Sequence, residues 1–598
     1  MTPRFAVSID LARGRFAASA AGSRAGGCVA LARGYVANAP ALRAEARRRG
    51  DPPPAGEEEL FALAYRWWGA QLQRHVLGEY AVAVFDERLR RAVVTHDAIG
   101  VVPLFFTLER GVLRAGSHLE DVAGADAAAP LDEDYFADLF ALGRPAGGRT
   151  PYRGVRRLPP GHTLAWDGDR VREQRTWSLA ETPPVRLNGV DEHAERVREL
   201  LDQAVRGATA ADGPVWAELS GGLDSSTVVS VAAAGGRALP ALSVIYERSA
   251  SADERPWMRP VIKRYDLPWH TIDGDACPPF TDVPQPELAE PNDEIPVWAL
   301  HRRYGELIER HGIATILTGH YGDLIFGGGW SEPRHLGDPL MRLDLPGFVR
   351  GVTDWQRRSP MRRSALHWAF SNGLVPAVRH LRGITPLDGV SAFGVPPWLD
   401  ERWSRRMHLR ERARRRHAPA CETPSQQAFA EILAVVGDSA GTGRGHGDAF
   451  SFRAPLLYRP LVEFFFAAAP EHRAQPDGDR ALQRAALRGI LPEAIRARGG
   501  KRGAEQSFFD GLGSPASWLP LLRSGSALAE RGYVDAARWR QAVETARFGV
   551  AGTMHQLVLT ATIDFWLRRR DRRDAFSEIT TRAPRGASDA TETPVFHA

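Results

Sequence analysis

The feature that most constrains this 598-residue chain is the string Ser220-Gly221-Gly222-Leu223-Asp224-Ser225-Ser226 and its surroundings. An apolar run at 215–219 precedes it, helical character follows over 225–234, and a second apolar run occupies 241–246. Strand, loop, helix and strand in that order make a βαβ unit, which demands a parallel sheet with helices on its faces. Two adjacent glycines let the backbone fold closely around an anion. Successive N–H groups and the N-terminus of the following helix then point at phosphate. Ser220, Ser225 and Ser226 add hydroxyl donors, and Asp224 fits as a ligand for Mg²⁺ carried by that phosphate. The spacing GxxxxGK[ST] is absent, so this is not the usual P-loop. A second apolar run, 314–318, leads into Gly319-His320-Tyr321-Gly322-Asp323. Asp323 stands just past the C-terminal end of that strand, where ligands bind in open α/β sheets. Asp224 and Asp323 are predicted to hold one Mg²⁺ between them.

Before residue 180 the pattern is different. Short apolar runs at 5–9, 80–85, 91–95 and 104–107, separated by turns, predict a layered sheet domain. A Pro-containing link at 181–185 follows, then an amphipathic helix over 191–208 with Val197, Leu200, Leu201 and Val205 on one face. Residues 331–420 are Arg- and Trp-rich and less regular, and end in a basic run from Arg410 to His417, which reads as a solvated helix face or as a patch that meets an acidic peptide or partner. Glu254 reads as an acidic charge at the start of a helix, favoured by the dipole. The segment 582–598 reads as a flexible tail. Hydrophobic residues are 43% and charged residues 25%, which excludes collagen, coiled coil and wholesale disorder. No apolar run is long enough to span a bilayer and the first residues do not resemble a signal peptide, so a cytoplasmic protein is expected. A net charge of +5 carries no nucleic-acid signature. The three cysteines, Cys28, Cys277 and Cys421, form no CxxC pair. Only two lysines, Lys263 and Lys501, survive among 77 basic residues. A lysine kept against such a bias is a candidate for a compact ammonium that arginine does not mimic; Lys263, on an amphipathic segment, reads as an ordinary surface residue.

The SGGLDSS string with the downstream TGHYGD resembles the asparagine-synthetase family of ATP pyrophosphatases. Collinear support comes from Gly78-Glu-Tyr-Ala-Val-Ala-Val-Phe-Asp86, from His96-Asp97 through Phe106, from Gly116-Ser-His, and from Leu158-Pro-Pro-Gly161-His. Towards the C-terminus Phe452-Arg453-Ala-Pro455-Leu and Leu491-Pro-Glu-Ala-Ile-Arg-Ala-Arg498, ahead of Lys501, agree as well. The resemblance implies a multi-domain α/β fold. An N-terminal layered α+β glutaminase-like domain of the Ntn type, residues 1–180, would precede a doubly wound parallel-sheet ATP-pyrophosphatase domain with helical additions, residues 190–598. It implies ATP and Mg²⁺ as cofactors and amide formation through an acyl-adenylate. Ser220, Gly221, Gly222, Asp224, Ser225, Ser226, Ser243 and Gly319 would bind ATP and pyrophosphate, Asp224 and Asp323 the metal. Lys501 matches the family's lysine at the reacting acyl centre.

Glutamine-dependent members carry cysteine directly after the initiator Met, whose thiolate attacks the glutamine amide. Here that residue is Thr2, so the first domain is expected to be inactive as a glutaminase. The sequence is similar to two subfamilies that lack that cysteine, the β-lactam synthetases and the lasso peptide cyclases. His320 stands where β-lactam synthetases place a catalytic tyrosine, which turns the reading towards a cyclase. His320 or Glu431 would take the proton from the attacking amine, and 331–420 would grip a peptide. The expected partners are the precursor core peptide, a leader peptidase and a leader-binding protein, with no nucleic acid and no membrane. The alternatives are a β-lactam-like or ammonia-using amide synthetase acting on a small amino acid, and a non-catalytic peptide-binding scaffold.

Overall fold

The computed structural model describes residues 5–571, apart from 20–21, 124–128, 212, 249–251, 284–287, 293, 328–333, 385–394, 415–419, 440–450, 474, 477, 500–504, 524, 547 and 549–553. Thr2, Lys501 and the tail at 582–598 therefore lie outside the described residues.

Two antiparallel sheets face each other in the N-terminal part. One has five strands, the other six, with Gly78–Asp86 next to Cys28–Val36 and Arg91–His96 in the middle of the larger sheet. Strand Gly78–Asp86 is apolar on both faces because it lies between two layers. Ala81, Ala83 and Phe85 meet the smaller sheet through Ile9, Phe106 and Leu113. Tyr80, Val82 and Val84 point the other way, into Leu60, Phe61 and Leu72 under the helices Ala39–Arg49 and Glu57–Trp68. This is the layered domain that the short apolar runs predict.

The second part is built on a five-stranded parallel sheet ordered Trp269–Asp273, Ala241–Ile245, Val215–Glu218, Thr315–Leu317 and Ser451–Arg453. The chain winds outwards from Val215–Glu218 in one direction, then returns to its other side with Thr315–Leu317. The strand order thus reverses between these two, and the crevice beyond their carboxyl ends is the topological switch point. Helices Gly189–Thr209 and Leu223–Ala234 cover one face, with Val197, Leu200, Leu201 and Val205 all buried as their spacing predicts. Helix Trp298–His311 covers the other, where Trp216, Leu242, Ile308 and Ile316 pack. The fold is therefore a multi-domain α/β one, as expected.

The described part of 331–420 is mostly helical, which corrects the expectation of irregularity. Leu345–Arg358, the π-helix Trp368–Leu374 and Val375–Leu381 assemble around a small core of Leu336, Val352, Trp355 and Trp368. The many arginines masked that periodicity. The basic run is also corrected at Arg412. Its guanidinium is largely enclosed and bonds the carboxylates of Asp134 and Asp138, the latter at 2.6 Å, so it ties this region to the N-terminal domain. The two large parts are joined elsewhere too. Glu79 Oε1 accepts the Ala454 N–H at 2.7 Å, and Trp177 Nε1 donates to Glu463 at 2.8 Å. The Arg459 guanidinium donates to the carbonyls of Gln73 and Arg74.

Candidate active site

At the end of strand Val215–Glu218 the chain turns through Gly221, whose φ of +70° is a conformation that favours glycine. A Cβ there would also stand 3.0 Å from Trp257 Cβ. The Ser225 hydroxyl accepts the Ser220 N–H at 3.0 Å and meets the Ser220 hydroxyl at 2.9 Å, which closes the loop on itself. Helix Leu223–Ala234 starts immediately after, so its free N–H groups face the loop. Ser220, Gly221, Gly222, Asp224 and Ser225 are thus gathered at one helix mouth. Ser226 differs: its side chain is wholly buried, and its hydroxyl has no hydrogen-bond partner among the described residues.

The second loop is packed hard against the first. A Cβ on Gly319 would lie 2.4 Å from the Ser225 nitrogen, and one on Gly322 would lie 2.5 Å from Asp224 Oδ1. Glycine at both positions is what allows the loops to touch. Between them, Tyr321 holds a left-handed φ of +67°, unusual for a residue with a side chain. The turn sets Asp323, exposed at the start of helix Gly322–Phe326, near enough to Asp224 for their charges to repel.

Asp224 is the most constrained group. Arg480 donates to both of its oxygens, at 2.8 and 2.7 Å, and Gln483 Nε2 to one at 3.0 Å. Burial pushes its carboxyl pKa up, and Arg480 and Gln483 pull it back. A second pair closes the floor of the loop. Arg498 donates to the Gly221 carbonyl at 2.9 Å and forks onto Glu254 at 2.5 and 2.9 Å, both side chains being buried. It also lies over the Trp257 ring at 4.6 Å. Glu254 is therefore not a simple helix-dipole charge. It is the buried partner of Arg498, three residues before Lys501.

The remaining expected residues divide. The His320 side chain is exposed, and its Nε2 lies 3.8 Å from the Glu218 carboxylate. Glu431 is buried, bonded by Gln427 Nε2 at 3.1 Å and near the enclosed Arg144 of the N-terminal domain. Its helix, Pro424–Ser439, packs on the one that carries Asp323. The Ser243 hydroxyl is engaged within the sheet: it donates to the Leu219 carbonyl at 2.6 Å and accepts from Trp269 Nε1 at 2.9 Å, which leaves only its backbone for a ligand. Sequence reasoning missed Arg480, Gln483 and the partnership of Glu254 with Arg498. Arg498 closes the quoted string before Lys501, but nothing in the sequence pairs it with a residue 244 positions earlier.

Two of the three cysteines are inert by placement. Cys28 is buried in its strand, and burial pushes its thiol up to about 11. Burial raises Cys277 likewise.

Comparison with known proteins agrees with this geometry. The asparagine synthase family model matches residues 196–568, and the glutamine amidotransferase domain model matches residues 20–177. Asparagine synthetase [glutamine-hydrolyzing] 3 of Bacillus subtilis is 29% identical over 86% of this chain and 81% of its own length. Amidase chry2 of Gibberella zeae is 25% identical over 47% of this chain and 46% of its own. A putative asparagine synthetase 2 of Methanocaldococcus jannaschii is 24% identical over 50% and 58%. With a family match over well more than half its length, on the same residues that form the double-loop crevice, the chain belongs to the asparagine synthase family and is an ATP-dependent carbon–nitrogen ligase.

Proposed function

We propose that this ligase closes a peptide ring, as a lasso peptide cyclase. A side-chain carboxylate of an Asp or Glu within a precursor peptide attacks the α-phosphorus of ATP, giving the acyl-adenylate and releasing pyrophosphate. The peptide's N-terminal amine then attacks the acyl carbon. The C–O bond to AMP breaks, AMP leaves with that electron pair, and the amine's proton passes to a base.

The residues fit ATP with Mg²⁺: a glycine-backed cradle at a helix N-terminus, with two mutually repelling carboxylates at its mouth. Asp224 and Asp323 would hold the metal, whose charge neutralises the leaving pyrophosphate. The 220–225 loop and Gly319 bind the phosphates, the buried Ser226 standing outside this set, Ser243 offers its backbone towards the nucleotide, and Arg480 adds cationic charge beside Asp224. Lys501 stabilises charge developing at the acyl centre. Of the two candidate bases His320 is the better placed, because it is exposed and Glu431 is enclosed.

One contrast carries this reading. The adenylating crevice has its parts in contact, while Cys28 and Cys277 lie in interior positions that hold the thiol protonated. Ammonia from glutamine needs a thiolate, so we assign the amine to the substrate itself. A tethered amine gains from proximity what an ammonia channel would otherwise supply. The N-terminal domain is then a retained scaffold, and the 331–420 region grips peptide. A leader peptidase to free the amine and a leader-binding protein are the partners in this scheme. A second reading, an amide synthetase that uses free ammonia on a small amino acid, is favoured by the 29% identity to the Bacillus subtilis enzyme.

Incubating leaderless precursor peptide with enzyme, ATP and Mg²⁺ tests the first reading. Loss of one water from the peptide's intact mass, matched by AMP, is the expected result. AMP formed only with aspartate and ammonium overturns the cyclase and leaves the amide synthetase.

A further inference from the structure

The exposed apolar side chains are not scattered. Of the twelve large hydrophobic residues that stand well out of the described surface, nine fall between Leu343 and Leu381. Five of them, Leu366, Phe370, Leu374, Val378 and Leu381, recur every three or four residues along one continuous helical rod. In a pure α-helix, at about 100° per residue, a repeat of four drifts around the axis. The π-helical stretch Trp368–Leu374 turns less per residue and cancels part of that drift, so the five stay in a line. Leu345 and Val349 expose further apolar surface on the neighbouring helix Leu345–Arg358. Both elements are held from beneath by Trp355 and Trp368, whose rings pack 5.4 Å apart. The stripe is therefore presented by a folded platform.

The charges around it are of one sign. Residues 342–384 contain eight arginines, two aspartates and neither lysine nor glutamate. Asp344 caps its own helix, and Asp354 is paired with Arg358. Arg350, Arg357, Arg362, Arg363, Arg379 and Arg382 are exposed and make no ion pair among the described residues.

We infer that this platform docks on an anionic lipid surface, with the stripe dipping into the headgroup boundary and the arginines meeting lipid phosphates. Charge decides against a second copy of this chain, because an isologous contact would set these unpaired arginines against their own copies. Shape decides against a groove for a helical peptide. Leu343, Leu366 and Leu381 are 88%, 81% and 72% exposed, so they are knobs on a convex ridge. A fluid interface accommodates knobs, whereas a protein partner must supply a matching hollow for each. Amphipathic helices with apolar and arginine-rich faces lie in the plane of a membrane in this way. No described helix is long and apolar enough to cross one, so the attachment is to one leaflet. The inference does not depend on which amide the enzyme makes; it replaces the expectation of no membrane, gives the exposed face of 343–381 to lipid, and leaves a peptide only the other faces of the 331–420 region.

Co-sedimentation of the full chain with vesicles tests it. One set holds phosphatidylcholine alone, the other an equal mixture of phosphatidylcholine and phosphatidylglycerol. We expect roughly tenfold or more preference for the mixed vesicles, weakened by added salt, as several arginines near an anionic surface should give. The combined substitution Leu366→Glu, Phe370→Glu and Leu381→Glu should abolish sedimentation. Arg362→Glu with Arg363→Glu should lower it severalfold. Unchanged Tm in both variants shows that the platform still folds. Failure to sediment with either vesicle overturns the proposal and leaves the stripe to a protein partner. Equal, salt-insensitive binding to both vesicles, or binding that survives the triple substitution, overturns it as well.

Discussion

The two parts of the chain use their motif residues in opposite ways. In the N-terminal domain the motif side chains point inwards and are consumed in holding structure. Asp97 accepts four successive backbone N–H groups, from Ile99 to Val102. His96 lies between the carbonyls of Val102 and Pro159, and Glu79 reaches across to Ala454. In the synthetase domain the motif residues sit on two loops outside the strand ends, with Asp224 and Asp323 at a shared mouth. The first domain's motif residues carry the fold, which under the function proposed above is why they would be kept without glutaminase chemistry. The comparison predicts that substitutions in the first part will move stability, and those at the crevice mouth will move rate.

Arg498 is the place where this division should fail most visibly, because it belongs to the crevice and is buried. Arg498→Ala leaves Glu254 charged and enclosed, and losing one member of such a pair costs about 3–5 kcal/mol. Urea unfolding should show that loss, while Glu254→Gln combined with Arg498→Met should recover much of it. At the mouth the expected effect is on chemistry. Asp224→Asn should lower AMP formation by about 10²–10³, in the range seen when one charge-stabilising group is removed. Its urea midpoint should move far less than that of Arg498→Ala. A midpoint shift as large as the rate effect would show that Asp224 is there for Arg480 and the fold.

Away from both, Asp338 offers a test by pH. It is buried beneath helix Pro424–Ser439, accepts the Ser425 N–H and hydroxyl, and has its carboxyl pushed up to about 6 by burial. The folded chain keeps this proton where the unfolded chain has released it. The contribution to stability is therefore complete below the unfolded value and is lost as pH rises through about 6, a change of about 3 kcal/mol. Asp338→Asn should flatten that slope between acid and neutral pH. A wild-type slope of the opposite sign would mean that the carboxylate is ionised in the fold.

Glu79 sharpens the comparison from the other side. Glu79→Gln weakens a buried interdomain bond to Ala454 without removing it, for about 1–2 kcal/mol in the unfolding midpoint and little change in AMP formation. A fall in AMP formation without a midpoint shift would instead give the first domain a direct part in catalysis.

Much of this arrangement was legible in the sequence because it is local. The Gly221–Gly222 turn, the helix after it, the strand before Gly319 and the apolar face of Gly189–Thr209 are each specified within a few residues. What escaped is long-range or hidden by composition. The Arg480–Asp224 clasp spans 256 positions, and arginine is so common in this chain that its presence at 480 carries no signal. The helices of 345–381 escaped for the same reason, because arginine and exposed leucine blur the apolar repeat on which helix reading depends. In the sequence Gly319 and Gly322 read as parts of a loop motif. Their close approach to Ser225 and Asp224 is a property of two strands meeting side by side, and a linear string does not record it.

The smallest expected effect is no effect at all, at Cys28. A glutaminase nucleophile must be an accessible thiolate. Cys28 is enclosed in the strand Cys28–Val36, and burial, with help from the Asp86 charge, pushes its thiol up to about 11, so almost none is ionised at neutral pH. Brief alkylation of the folded protein near pH 8 should modify the partly exposed Cys421 before Cys28, read by peptide mass. Cys28→Ser should leave AMP formation where it was, and neither protein should release glutamate from glutamine. Glutamate release by the wild type, lost in Cys28→Ser, would return a working nucleophile to the first domain and erase the contrast between the two parts. Glutamate release that persists in Cys28→Ser would move the search to a nucleophile other than this thiol, and would equally remove the reason for assigning the amine to the substrate.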